Sequence, residues 1–181
     1  MSGGGDRGAY EASVFIELAN LLPIEDISYD VITGVSAGSM NACGLGLFAP
    51  EDTTNASEFV FGIWNSISIP NVFKLWPGGI FEGLFKKSGV VDTSPLINFI
   101  REQTAGLTVK RKVTFAACDT ENMDYVTNDF NVSDTLPEEY LLSAVASSSI
   151  PFLFPTQKLG GKVLMDGGTL WNVDIPSAIR R

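Results

Sequence analysis

At 181 residues the chain has the length of one ordinary domain, and its 45% hydrophobic and 18% charged residues suit a packed core rather than disorder. It contains no histidine, which excludes Ser-His-Asp and Cys-His mechanisms and His-built zinc sites for the chain acting alone. Twelve basic against twenty-one acidic residues leave a net charge of −9, which repels nucleic acid and anionic membranes, so any lipid contact has to be apolar and local.

Met1 runs directly into Ser2 and a glycine string, with nothing like a signal peptide, and the expectation is a cytoplasmic protein, free or peripheral to a membrane. Residues 9–22 carry apolar positions at helical spacing and stop before Pro23. Tyr29-Asp30-Val31-Ile32-Thr33 is a short strand candidate, and 37–48 reads as a small-residue helix in which Cys43 is a buried thiol. The stretch from Val31 to Pro50 has no charge, but its glycines and polar residues argue for a strand, a turn and a buried helix rather than a membrane span. A further helix is predicted over 56–67. Residues 70–93, rich in glycine and aromatics, show no clear period. A helix starts at Ser94-Pro95 and runs to Gln103, followed by strand candidates at 113–117 and 125–130. Residues 137–147 read as helical, and Lys162 to Met165 is a last short strand. Strands alternating with helices predict an α/β fold, a sheet with helices on both faces.

Three segments carry candidate chemistry. Gly34-Val35-Ser36-Ala37-Gly38 lies between a strand and a helix candidate. There a serine sits on a sharp strand-to-helix turn, its small neighbours allow close backbone approach, and its Oγ is left exposed. A glycine-rich turn with a capping serine is the alternative. Gly3-Gly4-Gly5-Asp6-Arg7-Gly8 could cradle a phosphate in a dinucleotide fold, present backbone amides to an oxyanion, or simply be a disordered start. The dinucleotide version needs a strand before the loop, and an acidic residue at the end of a second strand; Glu25 and Asp26 fall in a loop. Asp166-Gly167-Gly168 follows a strand candidate and is either a plain turn or the carboxylate that a serine without histidine requires as base.

In this order the three motifs resemble the patatin-like phospholipase family, and the resemblance spans nearly the whole chain. Ser2 to Ala12 looks like the family's oxyanion loop, and Tyr29 to Ala42 is similar to its nucleophile strand, elbow and helix. Asp92-Thr93-Ser94-Pro95-Leu96 and the stretch from Ala144 to Pro155 match recurrent segments, and Asp166-Gly167-Gly168 with Asn172 resembles the aspartate motif. The resemblance implies a three-layer α/β/α domain over residues 1–181 with a mostly parallel central sheet. It implies a lipid acyl hydrolase with Ser36 as nucleophile, Asp166 as base, the Gly3–Gly8 loop as oxyanion hole, and no cofactor. In the family a strand precedes the glycine loop and the domain often continues past the aspartate motif. A sheet short of one strand, in a chain that is either a fragment or the product of an incomplete gene model, is therefore the expectation.

Residues 72–85 form a glycine-punctuated apolar cluster followed by Lys86 and Lys87. Ordinary packing under a long loop is the expectation for it; a lid or acyl-binding wall, with the lysines meeting headgroups, is the alternative. Asp119, Glu121 and Asp124 lack calcium-loop spacing and read as a solvated acidic loop, so no metal is expected. The partner implied is a lipid substrate, at a membrane or lipid-droplet surface. Against an acyl hydrolase stand a non-catalytic lipid-binding or scaffold remnant of the same fold and, more remotely, a dinucleotide-binding module.

Overall fold

The computed structural model describes residues 1–181. In chain order the elements are α1 (Gly8–Leu21), α2 (Ile24–Ile27), β1 (Val31–Val35), α3 (Ala37–Leu45), α4 (Thr53–Ser66), α5 (Ile69–Val72), α6 (Gly79–Lys86), α7 (Ser94–Gln103), β2 (Lys112–Asp119), β3 (Tyr125–Phe130), α8 (Glu138–Ser147), β4 (Gln157–Leu159), β5 (Lys162–Asp166) and α9 (Ile175–Arg180).

β2 organises the sheet because it is buried along nearly its whole length. β3 pairs with residues 113–118 of β2 on one side. The other side is shared: β1 runs parallel along 112–116 and β5 antiparallel along 117–119. β4 closes the order beyond β5. The α/β class is the expected one, but the sheet is mixed rather than mostly parallel, since only β1–β2 is a parallel pair. The reason lies in the connections. Five residues join β2 to β3, and only two join β4 to β5, far short of the crossover that a parallel pair needs.

Alternation along the strands sorts the layers. Ile32, Val113 and Phe115 point to one face, where they pack with Ala42 of α3, Val60 of α4 and Tyr140 and Ala144 of α8. Phe115 and Phe130 both meet Tyr140 across centroid distances of 5.0 and 5.1 Å. The opposite face is covered by the chain's last residues, where Thr33 Oγ1 donates to the Asp174 carbonyl at 3.1 Å. Arg111, buried just before β2, donates to the carbonyls of Tyr29, Phe48 and Ala49 and to Thr53 Oγ1. It thereby ties the lead into β1 to the exit from α3.

On its free side β1 meets Met1, whose amine donates to Thr33 O at 2.8 Å and whose carbonyl accepts from Val35 N–H at 3.3 Å. Burial lowers the pKa of that amine. A groove lined by Met1, Phe15, Leu18 and Val31 continues along this edge.

The structure revises four sequence expectations. Residues 70–93 contain α6, which carries Ile80, Phe81, Leu84 and Phe85 exposed to solvent and not packed as core. Residues 24–27, including Glu25 and Asp26, form a helical turn instead of a loop. Asp119 is buried at the end of β2 and orders the turn by accepting from Glu121 N–H, so it does not belong to a solvated loop. Finally, α4 begins at Thr53, three residues earlier than the apolar spacing indicates.

Candidate functional site

β1 and β5 run towards each other along one side of β2, and their ends meet at adjacent register positions. Val35 faces Ala116 and Asp166 faces Ala117. The residue after Val35 is Ser36, so the topology carries Ser36 and Asp166 together across 130 positions of sequence. Ser36 Oγ donates to Asp166 Oδ2 at 2.6 Å. The other carboxylate oxygen accepts from Gly168 N–H at 2.8 Å, which orients the group.

The turn at Ser36 is strained, with φ of 54° and ψ of −126° in a non-glycine residue. It is held because the flanking positions admit nothing larger than hydrogen. A Cβ at Gly34 would lie 2.6 Å from Ser39 Cα, and one at Gly38 would lie 2.6 Å from Ser2 O. The backbone around Ser36 is also fastened by serines. Ser147 Oγ accepts from Ser36 N–H at 2.9 Å and donates to Ala116 O. Ser39 Oγ donates to Ser36 O and Ala144 O. Since Ser36 N–H is engaged, it is not free to meet a substrate oxygen. Ala37 N–H, at the start of α3, lies beyond the reach of intrahelical bonding.

The glycine string lies against this turn. A Cβ on Gly3 would approach Ser36 Cβ to 2.7 Å. Asn172 clamps the string to the aspartate motif, with Gly3 N–H donating to Asn172 Oδ1 and Asn172 Nδ2 donating to Gly3 O, both at 3.0 Å. Gly5, Asp6 and Arg7 make one helical turn, and the N–H groups of Gly4 and Gly5 donate to no protein acceptor. Arg7 is exposed and makes no side-chain hydrogen bond or ion pair. Gly8 opens α1 and packs on Trp64 and Ala37. Behind the loop, Asn41 Nδ2 donates to Gly8 O and Glu11 Oε2 while its Oδ1 accepts from Trp64 Nε1. Gly167 lies against the Ala116 carbonyl, and Gly168 faces Asn172 and the Asp166 carboxylate. All the motif residues therefore converge except the Arg7 side chain.

A cavity of about 360 Å³ opens beside Ser36, lined by Gly5, Asp6, Ala37 and by apolar residues of α3, α4 and α7 such as Met40, Val60, Ile63, Leu96 and Phe99. Ile150 and Phe154 complete the wall. Asp166 and Ser36 are only 6% and 7% exposed. Burial raises the Asp166 pKa above the ordinary carboxylate value, partly offset by the hydrogen bonds from Ser36 and Gly168. The group is thus a stronger proton acceptor than an exposed aspartate. Cys43 also lines the cavity, but burial pushes its thiol up to about 12, which keeps it protonated. Asp174 accepts from Ser177 N–H at 3.1 Å, capping α9, and does not meet Ser36.

Ser147, Glu11, Asn41 and Trp64 have structural roles here that spacing did not assign. The signal for Ser147 was present as a serine-rich stretch, but which of its hydroxyls faces Ser36 depends on how α8 docks. No grouping of three or more His, Cys, Asp or Glu side chains is arranged to hold a metal. The dinucleotide alternative finds no support in the fold, because Glu25 and Asp26, its candidate acidic residues, lie on α2 and not at the end of a second strand.

No curated protein sequence matches the chain. The family model for patatin-like phospholipase matches residues 1–179, essentially the whole length. The chain therefore belongs to the patatin-like phospholipase family, whose activity class is lipid hydrolysis.

Proposed function

We propose that the protein hydrolyses a carboxylic ester of a phospholipid or other acyl lipid through an acyl-enzyme, with Ser36 as nucleophile and Asp166 as general base. The observation that carries this reading is the 2.6 Å hydrogen bond from Ser36 Oγ, on the wall of an apolar cavity, to the buried Asp166 carboxylate. Asp166 takes the hydroxyl proton as Oγ attacks the ester carbonyl carbon. The oxyanion that forms has free backbone donors close by in Ala37 and in the Gly4–Gly5 stretch. Collapse breaks the bond to the alcohol oxygen, which takes the proton back from Asp166. Water then repeats the sequence on the acyl-enzyme and releases the fatty acid. The cavity accepts the acyl chain, since its walls offer apolar contact and few polar partners.

Labelling with a fluorophosphonate probe tests the nucleophile. Wild type is expected to take up one equivalent on Ser36 and to release fatty acid from acyl lipids, and Ser36→Ala to do neither. A folded wild type that is neither labelled nor active would favour the lipid-binding remnant instead.

A further inference from the structure

Helix α6 is turned inside out. Its large apolar residues, Ile80, Phe81, Leu84 and Phe85, fall at i, i+1, i+4 and i+5, on one face. A surface helix normally sets such a face against the core. Here Phe81 is 75% and Phe85 79% exposed, and it is Gly83 that is buried. A Cβ at Gly83 would lie 2.7 Å from Val90 Cα, so the helix backbone rests on Val90 and the large side chains of α6 turn outward. Burying such side chains is favourable, and α6 forgoes much of that gain in the free molecule, since Ile80 and Leu84 are more than half exposed as well.

The same segment holds a second apolar projection. Val90 and Val91 N–H donate to Phe152 O and Leu153 O at 3.0 and 3.2 Å, and Trp76 Nε1 donates to Gly89 O at 3.0 Å. Phe152 is 87% exposed on a left-handed backbone, φ 66°, a conformation costly for an aromatic residue. The extended segment and the loop are hydrogen-bonded and α6 packs on the segment at Val90, so the three form one unit whose apolar side chains are exposed. The unit is continuous with the cavity, because Ile150 and Phe154 at the base of the loop line it together with Ser36.

Charge around the face is balanced, in contrast with the rest of the chain. Lys87 lies 3.7 Å from Glu82 and over the Trp76 ring at 4.8 Å, Lys74 lies 3.5 Å from Asp92, and Lys86 is unpaired. We propose that α6 and the 150–154 loop form a docking face that seats the cavity mouth on the surface of a zwitterionic phospholipid bilayer. The inference rests on the acyl-hydrolase reading of that cavity. A water-insoluble acyl chain reaches the cavity from a lipid surface, and a unit that lines the cavity through Ile150 and Phe154 while exposing Phe81, Phe85 and Phe152 between near-neutral flanks is built to meet one.

Flotation with phosphatidylcholine vesicles, run on Ser36→Ala so that hydrolysis cannot alter the lipid, provides the test. The background protein is expected to bind, and adding Phe81→Ser with Phe85→Ser to weaken partitioning by about tenfold or more. In the Ser36 enzyme the same pair should leave turnover of a soluble short-chain ester within about twofold of wild type. Phe152→Gly, which suits the left-handed backbone, gives an independent variant and should weaken partitioning while preserving thermal stability. Vesicle binding unaffected by these changes overturns the proposal, as does absence of binding in the background protein. A dimer in sedimentation that the α6 variants convert to monomer also overturns it, because the face would then belong to a second copy. Patch-dependent vesicle binding in a chain without ester hydrolysis supports the docking face while refuting the acyl-hydrolase reading.

Discussion

The proposed mechanism requires Asp166 to be both a buried carboxylate and a working base, and its surroundings reconcile the two. Burial raises its pKa, while the Ser36 hydroxyl and the Gly168 amide keep the ionised form tolerable. An acyl hydrolase acting through it should lose activity as pH falls through the raised value, with a midpoint above about 3.9, the reference for aspartate. A pH–rate profile of kcat/KM checks this, and a midpoint at or below the reference would speak against Asp166 as the base. Asp166→Asn keeps the shape but removes the acceptor, and should lower turnover by about 10⁴-fold or more. Its effect on stability has the opposite sign. A carboxyl whose pKa is raised in the folded chain binds its proton more readily there than when unfolded. Its contribution thus improves as pH falls through the raised value and worsens above it. The Asn variant should accordingly unfold at an unchanged or higher temperature at neutral pH, which a thermal scan reads directly. Asn172 is a positioning residue, since it touches Gly3 and not the nucleophile. Asn172→Leu is expected to reduce kcat roughly tenfold with little change in KM, by freeing the glycine string. Equal loss in both Asn172→Leu and the conservative Asn172→Gln would indicate a requirement for the exact amide reach.

At the scale of elements, the site depends on two strands that end where they do. β1 stops at Val35 and β5 at Asp166 because the chain turns sharply there, into α3 and into a helical turn at Gly167–Thr169. Arg111 secures the distant end of β1, and it does so with carbonyl acceptors and a hydroxyl instead of a carboxylate. Burial lowers its pKa, countered by the field of Asp30, Glu51 and Asp52. Arg111→Met leaves those acceptors buried without a donor and should destabilise the fold by about 3 kcal/mol, roughly 10 °C in Tm. Denaturant titration measures it. Lysine should rescue only part of the loss, because one ammonium cannot span the same fork of acceptors.

For the molecule as a whole, the net charge of −9 and the near-neutral face around α6 act on different steps. If lipid contact is apolar, raising the salt from about 0.05 to 0.5 M shortens the screening length several-fold without weakening adhesion. Vesicle partitioning should therefore hold or rise with salt. A marked fall would mean that attraction between charges, and not the exposed phenylalanines, holds the protein at the surface. Anionic lipid mixed into the vesicles should not improve binding at low salt, for the same reason.

Much of this was legible one segment at a time. The elbow around Ser36, the strand before it and the small-residue helix after it are local in their causes, as is the helix over 94–103, which the sequence places at the residues where it is found. For a serine nucleophile the missing histidine pointed to another base, with a carboxylate at a strand end available, and the three motifs resembled one family. α6 was not legible, because its period is short and its apolar face points the wrong way for a core helix. That orientation is decided by Gly83 resting on Val90, a contact between segments that no local pattern encodes. The mixed sheet and the meeting of Ser36 with Asp166 belong to the same category. Residue types and spacing determine which turns and helices form. Only the placing of β1 and β5 end to end along β2, a strand buried from Val113 to Asp119, brings a hydroxyl within 2.6 Å of a carboxylate 130 residues away.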